Sequence, residues 1–277
     1  MPVTGTTVVR RQLGRRLRRL RDAAGKTVAD VEAARLVSAA KLWRIETGKT
    51  PVKIADVRGL CWLYGADEQT ADTLSALALG TEGQGWWEDY SDVMEAGIAL
   101  FIGLEEVADE IRTYEAELVP GLFQTADYTR AVNRAERPDW AESAIDRRVA
   151  LRQERQRKVL GRNGSSPQIA AVLNAAVLSR QVGGPEVMTA QVGRLHELAA
   201  LDHIDIRVLP WDAGAHAAMA GSFTILEFAN PDDPAVAHAD SYVGARYVED
   251  PKQVDEYRTV FGLVRKHAVA LEEYDTS

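Results

Sequence analysis

The stretch SAAKLWRIETGKTP, Ser38 to Pro51, decides how its surroundings fold. Ser38 is a good helix N-cap, because its hydroxyl can accept a first-turn amide that has no partner inside the helix. Val37 just before it and Leu42 at the fourth helical position can close a hydrophobic staple. Thr47-Gly48-Lys49-Thr50-Pro51 then stops the helix. At 3.6 residues per turn, Leu42 and Ile45 fall on one face. The opposite face carries Ala40, Trp43, Arg44 and Thr47, with Lys41 at its margin.

Toward the N-terminus, Leu13, Leu17, Leu20 and Ala24 recur at helical spacing with arginines at most positions between them. One stripe can therefore face a core while a basic side faces water or phosphate. Gly25 supplies a helix stop, and Thr27 caps a second short helix, TVADVEAAR, with Val28, Val31 and Ala34 available to the same core. Met1–Gly65 holds 14 of the 33 Lys and Arg but only 5 of the 41 Asp and Glu, a local charge of +9 against −17 for the rest. A charge run is usually just a solvated face, so the helical order around it has to decide.

That order of helices and caps resembles the lambda-repressor-like helix-turn-helix family, of the xenobiotic-response-element type. The residues that carry the likeness are LRRLRDAAGKT and SAAKLWRIETGKTP, with IADVRGLCWLYG and DEQTADTLSALAL as the last two helices of a five-helix module. The resemblance implies double-stranded DNA as partner. It makes Ala39, Ala40, Arg44 and Thr47 the base-reading candidates: an arginine fork matches guanine O6 and N7, and alanines can meet thymine methyls. Backbone candidates are Thr27, Val28, Ser38, Lys41, Trp43, Lys49, Lys53, Arg15, Arg16 and Arg19. Trp43 has two readings, an indole against a sugar-phosphate wall or a dimer or interdomain contact. Arg21 and Glu46 match a structural ion pair. Three positions depart from the pattern: Val28 where a phosphate-gripping Gln is common, Glu32 where a small Ala is, and Leu36 where a turn Gly is.

With 277 residues and 46% hydrophobic composition, the chain suits two domains. The expected division is 1–80 for the DNA-binding module, 81–92 for a linker, and 93–277 for an α+β domain. That second domain should hold a small, mainly antiparallel sheet with flanking helices. One cysteine, Cys61, excludes an internal disulfide framework and reads as a small buried hydrophobe. No secretory signal or membrane-length apolar run is visible, so the expectation is a cytoplasmic protein with no membrane association.

In the second domain, ALFIGLEEVADEIRTYEAELV, TADYTRAVNRA and SAIDRRVALRQERQRKVL read as helices, with the turn VPGLFQ between the first two. QIAAVLN, IDIRVLP, SFTILEF and AVAHAD read as strands. PEVMTAQVGRLHELAAL reads as a helix, as does VDEYRTVFGLVRKHAVAL, whose stripe is Val254, Tyr257, Phe261, Val264, Ala268 and Leu271. LVPGLFQTADYTRAV, RRVALRQERQRKVL, VGGPEVMTAQVGRL and IDIRVLPWDAGAHAAMAGSFTILEF, together with EYRTVFGLVRKHA, resemble a C-terminal domain of unknown function. That domain is found in actinobacterial antitoxin-like regulators; Asn174 stands where those proteins more often have an acidic residue. The resemblance implies a homodimer on a palindromic operator and a small partner protein, encoded by an adjacent gene, or a ligand. Candidate pocket residues are Trp86, Trp87, Gln124, Tyr128 and His216. Two alternatives stand beside the regulator. One is an antitoxin-like protein whose main role is binding the neighbouring gene's product; the other is an enzyme using Asp212, His216 and Ser222. The five histidines form no metal-ligand spacing, and no nucleophile elbow is present, so no metal, cofactor or catalytic residue is expected.

Overall fold

The computed structural model describes residues 6–81, 90, 92–94, 98–161, 166–229, 234–241 and 244–274. Two compact units divide the chain, Met1–Leu104 and Glu105–Ser277.

The first unit is helical: α1 (Thr6–Ala23), α2 (Val28–Ala33), α3 (Ala39–Glu46), α4 (Ile54–Tyr64) and α5 (Glu68–Thr81), followed by α6 (Ile98–Val107), which runs on into the second unit. Leu13 and Leu17 of α1, Val31 of α2, Leu42 and Ile45 of α3, and Val57, Leu60 and Cys61 of α4 close one buried core. Each such aliphatic side chain contributes about 1.5 to 3 kcal/mol on burial. The helix stops are glycines in the left-handed region, Gly25 at φ 64° and Gly65 at φ 70°. Gly14 lies mid-helix for a different reason. A Cβ there would come within 2.2 Å of the Ile45 carbonyl oxygen, so α1 can meet the end of α3 only where it has no side chain.

The second unit is α+β. After α6 come β1 (Glu110–Glu115), a 3-10 turn at Gly121–Phe123, α7 (Ala126–Glu136), α8 (Glu142–Leu160), β2 (Gln168–Asn174), α9 (Ala175–Ser179) and α10 (Pro185–Ala199). Then follow β3 (Ile204–Leu209), β4 (Phe223–Glu227), β5 (Val236–Ala239), β6 (Arg246–Val248), α11 (Pro251–His267) and β7 (Val269–Ala270). The seven strands lie in the order β6-β5-β4-β1-β2-β3-β7. β1, β2 and β3 run parallel, and the other four pairings are antiparallel. Helical crossovers join the parallel strands, as that geometry requires. Tyr114, Val172, Phe223, Ile225 and Ala237 pack with Val254, Phe261 and Val264 of α11 on one face.

Two readings of the sequence are corrected here. EIRTYE is not helical but forms β1, paired on both sides within the sheet. Ile111 and Thr113 alternate with Arg112 and Tyr114 across the pleat, and pairing with β2 and β4 overrides the helical run before it. The C-terminal helix stops at His267, so Ala268 is its C-cap and Leu271 lies in a 3-10 turn; both are still buried.

Candidate nucleic-acid interface

The interface candidate is α3 with the turn that presents it. Thr27 caps α2 through a reciprocal box: its hydroxyl accepts from the Asp30 amide at 3.2 Å while Asp30 Oδ2 accepts from the Thr27 amide at 2.6 Å. Between α2 and α3 the chain turns through Arg35 at φ 53°, a left-handed conformation uncommon for a side-chain-bearing residue. The neighbouring Leu36 reaches α4 instead, lying where a Cβ on Gly59 would meet it. Glu32 also acts structurally. Its Oε1 accepts from the Ala39 amide at 2.7 Å, so a carboxylate sits on the first free N–H of α3 and ties the two helices.

Ser38 caps α3, its hydroxyl accepting from the Lys41 amide at 3.3 Å. Leu42 and Ile45 are buried. Ala40, Trp43 and Arg44 are exposed, while Ala39 and Thr47 are half-buried. The Thr47 hydroxyl donates back to the Trp43 carbonyl at 2.7 Å. Trp43 is 55% exposed, and the Lys49 ammonium lies 4.2 Å from its ring centre. This cation-π pair fixes a positive charge beside a flat apolar surface.

Arg21 clamps the far end of the helix. Its Nε donates to Glu46 Oε1 at 2.7 Å, Nη2 to Oε2 at 3.1 Å, and Nη1 to the Lys26 carbonyl at 3.0 Å. The fork therefore joins the ends of α1 and α3. Lys41 has a protein partner as well, Asp56 of α4 at 2.7 Å. Val28, Arg19, Lys49 and Lys53 are exposed; Arg15 and Arg16 are half-buried along α1. Gly14 was missed by sequence reasoning, although a glycine inside a helical stripe is a recognisable signal of close packing.

The remaining candidates belong to the second unit, apart from Trp86 and Trp87, which lie outside the described residues. Tyr128 is fully buried and its hydroxyl accepts from the Val119 amide at 3.2 Å. Gln124 is buried too: Nε2 donates to the Val119 carbonyl at 2.7 Å, and Oε1 accepts from Thr129 Oγ1 and Arg152 Nη1. His216 is not with them. It lies 3.5 Å from the Tyr114 hydroxyl and lines a separate pocket of about 380 Å³ with Ala215, Ala217, Leu263 and His267. No hydrogen bond joins any two of Asp212, His216 and Ser222; Ser222 Oγ instead accepts from the Ala116 amide at 3.0 Å. Among the described residues no cluster of three or more His, Cys, Asp or Glu is placed to hold a metal ion, and no helix is long and apolar enough to cross a membrane.

Glu115, half-buried at the end of β1, has its carboxyl pushed up to about 7 by burial, partly offset by the Ser222 and Thr113 hydroxyls. Between the ordinary carboxylate range and pH 7 the folded state thus holds a proton that the unfolded chain has released. Stability from this group falls as pH rises through that window, and the whole cost is present above it. Glu115→Gln should therefore stabilise the second unit at pH 8 by about 1 to 3 kcal/mol and leave pH 4 nearly unchanged. Urea melts at the two pH values check this; an equal effect at both would assign Glu115 no buried proton.

The helix-turn-helix domain family matches residues 12–74, and the domain of unknown function (DUF5753) matches residues 98–274. No curated protein and no solved structure matches the chain. The second match spans more than half of the sequence and covers the sheet and helices of the second unit; the first covers the capped helices α2 and α3. The chain belongs to the family defined by that C-terminal domain, and carries a DNA-binding helix-turn-helix domain ahead of it.

Proposed function

We propose that this protein is a dimeric, sequence-specific transcription regulator of the lambda-repressor-like, actinobacterial type. α3 enters the major groove of a palindromic operator, and the acidic second domain dimerises and receives the signal. The observation that carries the reading is the split of α3: Leu42 and Ile45 are buried while Ala40, Arg44 and the Trp43–Lys49 pair face outward on a helix held at both ends. In this reading Arg44 reads a guanine, Ala39, Ala40 and Thr47 contact base edges, and Trp43 with Lys49 packs on the sugar-phosphate wall. Thr27, Val28, Ser38, Lys41, Lys53, Arg15, Arg16 and Arg19 line the backbone, Lys41 with its charge shared with Asp56. One module makes few base contacts, so two half-sites about one helical turn apart supply the specificity.

A shift assay on the DNA upstream of the protein's own gene tests the reading, and no specific retardation there or in a genome-wide selection removes it. Arg44→Ala should relax preference at one base pair in each half-site, by roughly 1 to 3 kcal/mol of discrimination. Lys49→Ala should weaken all sequences alike and lower the salt slope by about one. Identical behaviour of the two variants would overturn the division of labour.

An antitoxin-like role, with DNA binding serving autoregulation, is favoured by one feature of the second unit. Trp211 and Met219 are 64% and 70% exposed in the segment between β3 and β4, apolar surface suited to a small protein partner. Co-purification with the neighbouring gene's product, lost on Trp211→Ala, supports that role.

A further inference from the structure

Two motifs that the DNA-binding reading leaves unused, VPGLFQ and RRVALRQERQ, meet in the second unit. Arg148, Arg152 and Arg155 recur along α8 at helical spacing and share one side. Against them lies the turn Val119–Gln124, clamped by Gln156 Nε2, which donates to the carbonyls of Gly121 at 2.9 Å and Gln124 at 2.8 Å. The two guanidinium groups crowd Gly121. A Cβ there would sit 3.0 Å from Arg152 Nη1 and 3.2 Å from Arg155 Nη1.

The three arginines of this recess are held in different ways. Arg155 is taken by the buried Glu105, with Nη2 donating at 2.7 Å and Nε bonding the other oxygen. Arg148 is buried, its guanidinium 5.7 Å from the Trp140 ring centre. Arg152 is different. Its hydrogen bond is to a neutral group, Gln124 Oε1 at 2.8 Å, and no carboxylate of the described residues lies within ion-pair distance. Its Nε and Nη2 bond no described residue, yet neither atom is sealed from solvent. Burial, with Arg155 and Arg148 beside it, lowers the Arg152 pKa to about 9, so the group is still a cation at neutral pH.

The carboxylates of Glu105 and Glu136 act on Arg152 through space and Glu105 is engaged by Arg155, so two donors of a recessed guanidinium stay open for an anion that reaches them directly. Buried ionisable groups whose neighbours oppose their charge gather at binding sites. We propose that this recess is a ligand site in which the fork of Arg152, backed by Arg148 and Arg155, grips the oxyanion of a small molecule, a phosphate or a carboxylate. The site deepens the signal-receiving role given to the second domain by naming the ligand's chemistry. Its test needs no DNA, so failure of the DNA-binding reading leaves it standing.

The experiment follows the backbone amides of Gly121 and Gln124 by NMR in the full chain. Sodium phosphate, and separately sodium acetate, is titrated against sodium chloride at matched ionic strength. Saturable shifts are expected with phosphate or acetate at concentrations on the order of millimolar, and the stronger of the two identifies the ligand's anionic group. Arg152→Gln should weaken the response roughly tenfold or more, and Arg152→Lys, which keeps the charge but loses the fork, should also weaken it. Saturation by neither anion in the wild-type chain overturns the proposal. Equal affinity in wild type and Arg152→Lys does so too, since the anion is then bound elsewhere, for example along the basic α1.

Discussion

Gly14→Ala should unfold most of the N-terminal unit at room temperature, although alanine is the better helix former. Propensity favours the alanine by about 1 kcal/mol. Against it stands a Cβ placed 2.2 Å from the Ile45 carbonyl oxygen and 2.9 Å from the Glu46 carbonyl carbon and oxygen. These are backbone atoms at the end of α3, so no rotamer change relieves the clash. Sliding α1 away would pull Arg21 off Glu46 and open the contact of Leu13 and Leu17 with Ile45. Overpacking of well-packed cores costs about 1 to 3 kcal/mol when side chains can adjust, and more when the obstacle is main chain. A helical module of this size has only a few kcal/mol to lose. The expected result is a loss of at least about 3 kcal/mol in urea unfolding followed by circular dichroism, with operator binding reduced in proportion and the second unit's own transition unmoved. A Gly14→Ala protein as stable as wild type would mean that α1 does not approach α3 this closely.

The first unit was readable from the sequence because its decisive interactions are local. Thr27 with Asp30, Ser38 with the Lys41 amide, and the glycine stops at Gly25 and Gly65 all act within a few residues. What escaped were pairings set by tertiary proximity. Lys41 looked free for phosphate but meets Asp56 on the next helix, and Glu32, a departure from the family pattern, turned out to occupy the Ala39 amide. In the second unit β2, β3, β4 and β5 were legible from apolar or alternating runs between turn residues. β1 was not, because EIRTYE carries charges at both ends and follows a helical run, and only its pairing with β2 and β4 makes it a strand. β6 and β7, of three and two residues, are too short to leave a pattern. The surroundings of the candidate pocket residues were hidden for the same reason. Tyr128 and Gln124 are bonded into the core around Val119, and His216 lies by Tyr114 and α11. The arginine recess brings together residues roughly thirty positions apart, a proximity that neither motif alone could show.

Glu105→Gln should be the most damaging single change in the second unit. Glu105 is 2% exposed and accepts from both Nε and Nη2 of Arg155. The amide keeps the shape and one acceptor but removes the charge. The buried Arg155 guanidinium then loses its bidentate carboxylate beside Arg152 and Arg148, keeping only the weaker fields of Asp240 and Glu115, and one amide N–H is turned toward an arginine donor. Breaking one partner of a buried pair costs about 3 to 5 kcal/mol, whereas replacing both by apolar groups of similar volume is often close to neutral. Glu105→Leu combined with Arg155→Met should therefore be more stable than Glu105→Gln alone, an ordering that a simple count of lost hydrogen bonds would not give. The comparison also bears on the recess. If Arg152 already awaits an anion, removing the Glu105 charge leaves the site more positive, and inorganic phosphate should restore part of the lost stability of Glu105→Gln while adding less to the double variant. Thermal melts of the full chain in phosphate and in chloride at equal ionic strength measure both effects. A cost below about 1 kcal/mol for Glu105→Gln would show that water reaches Arg155 freely and that the pair is not buried as described.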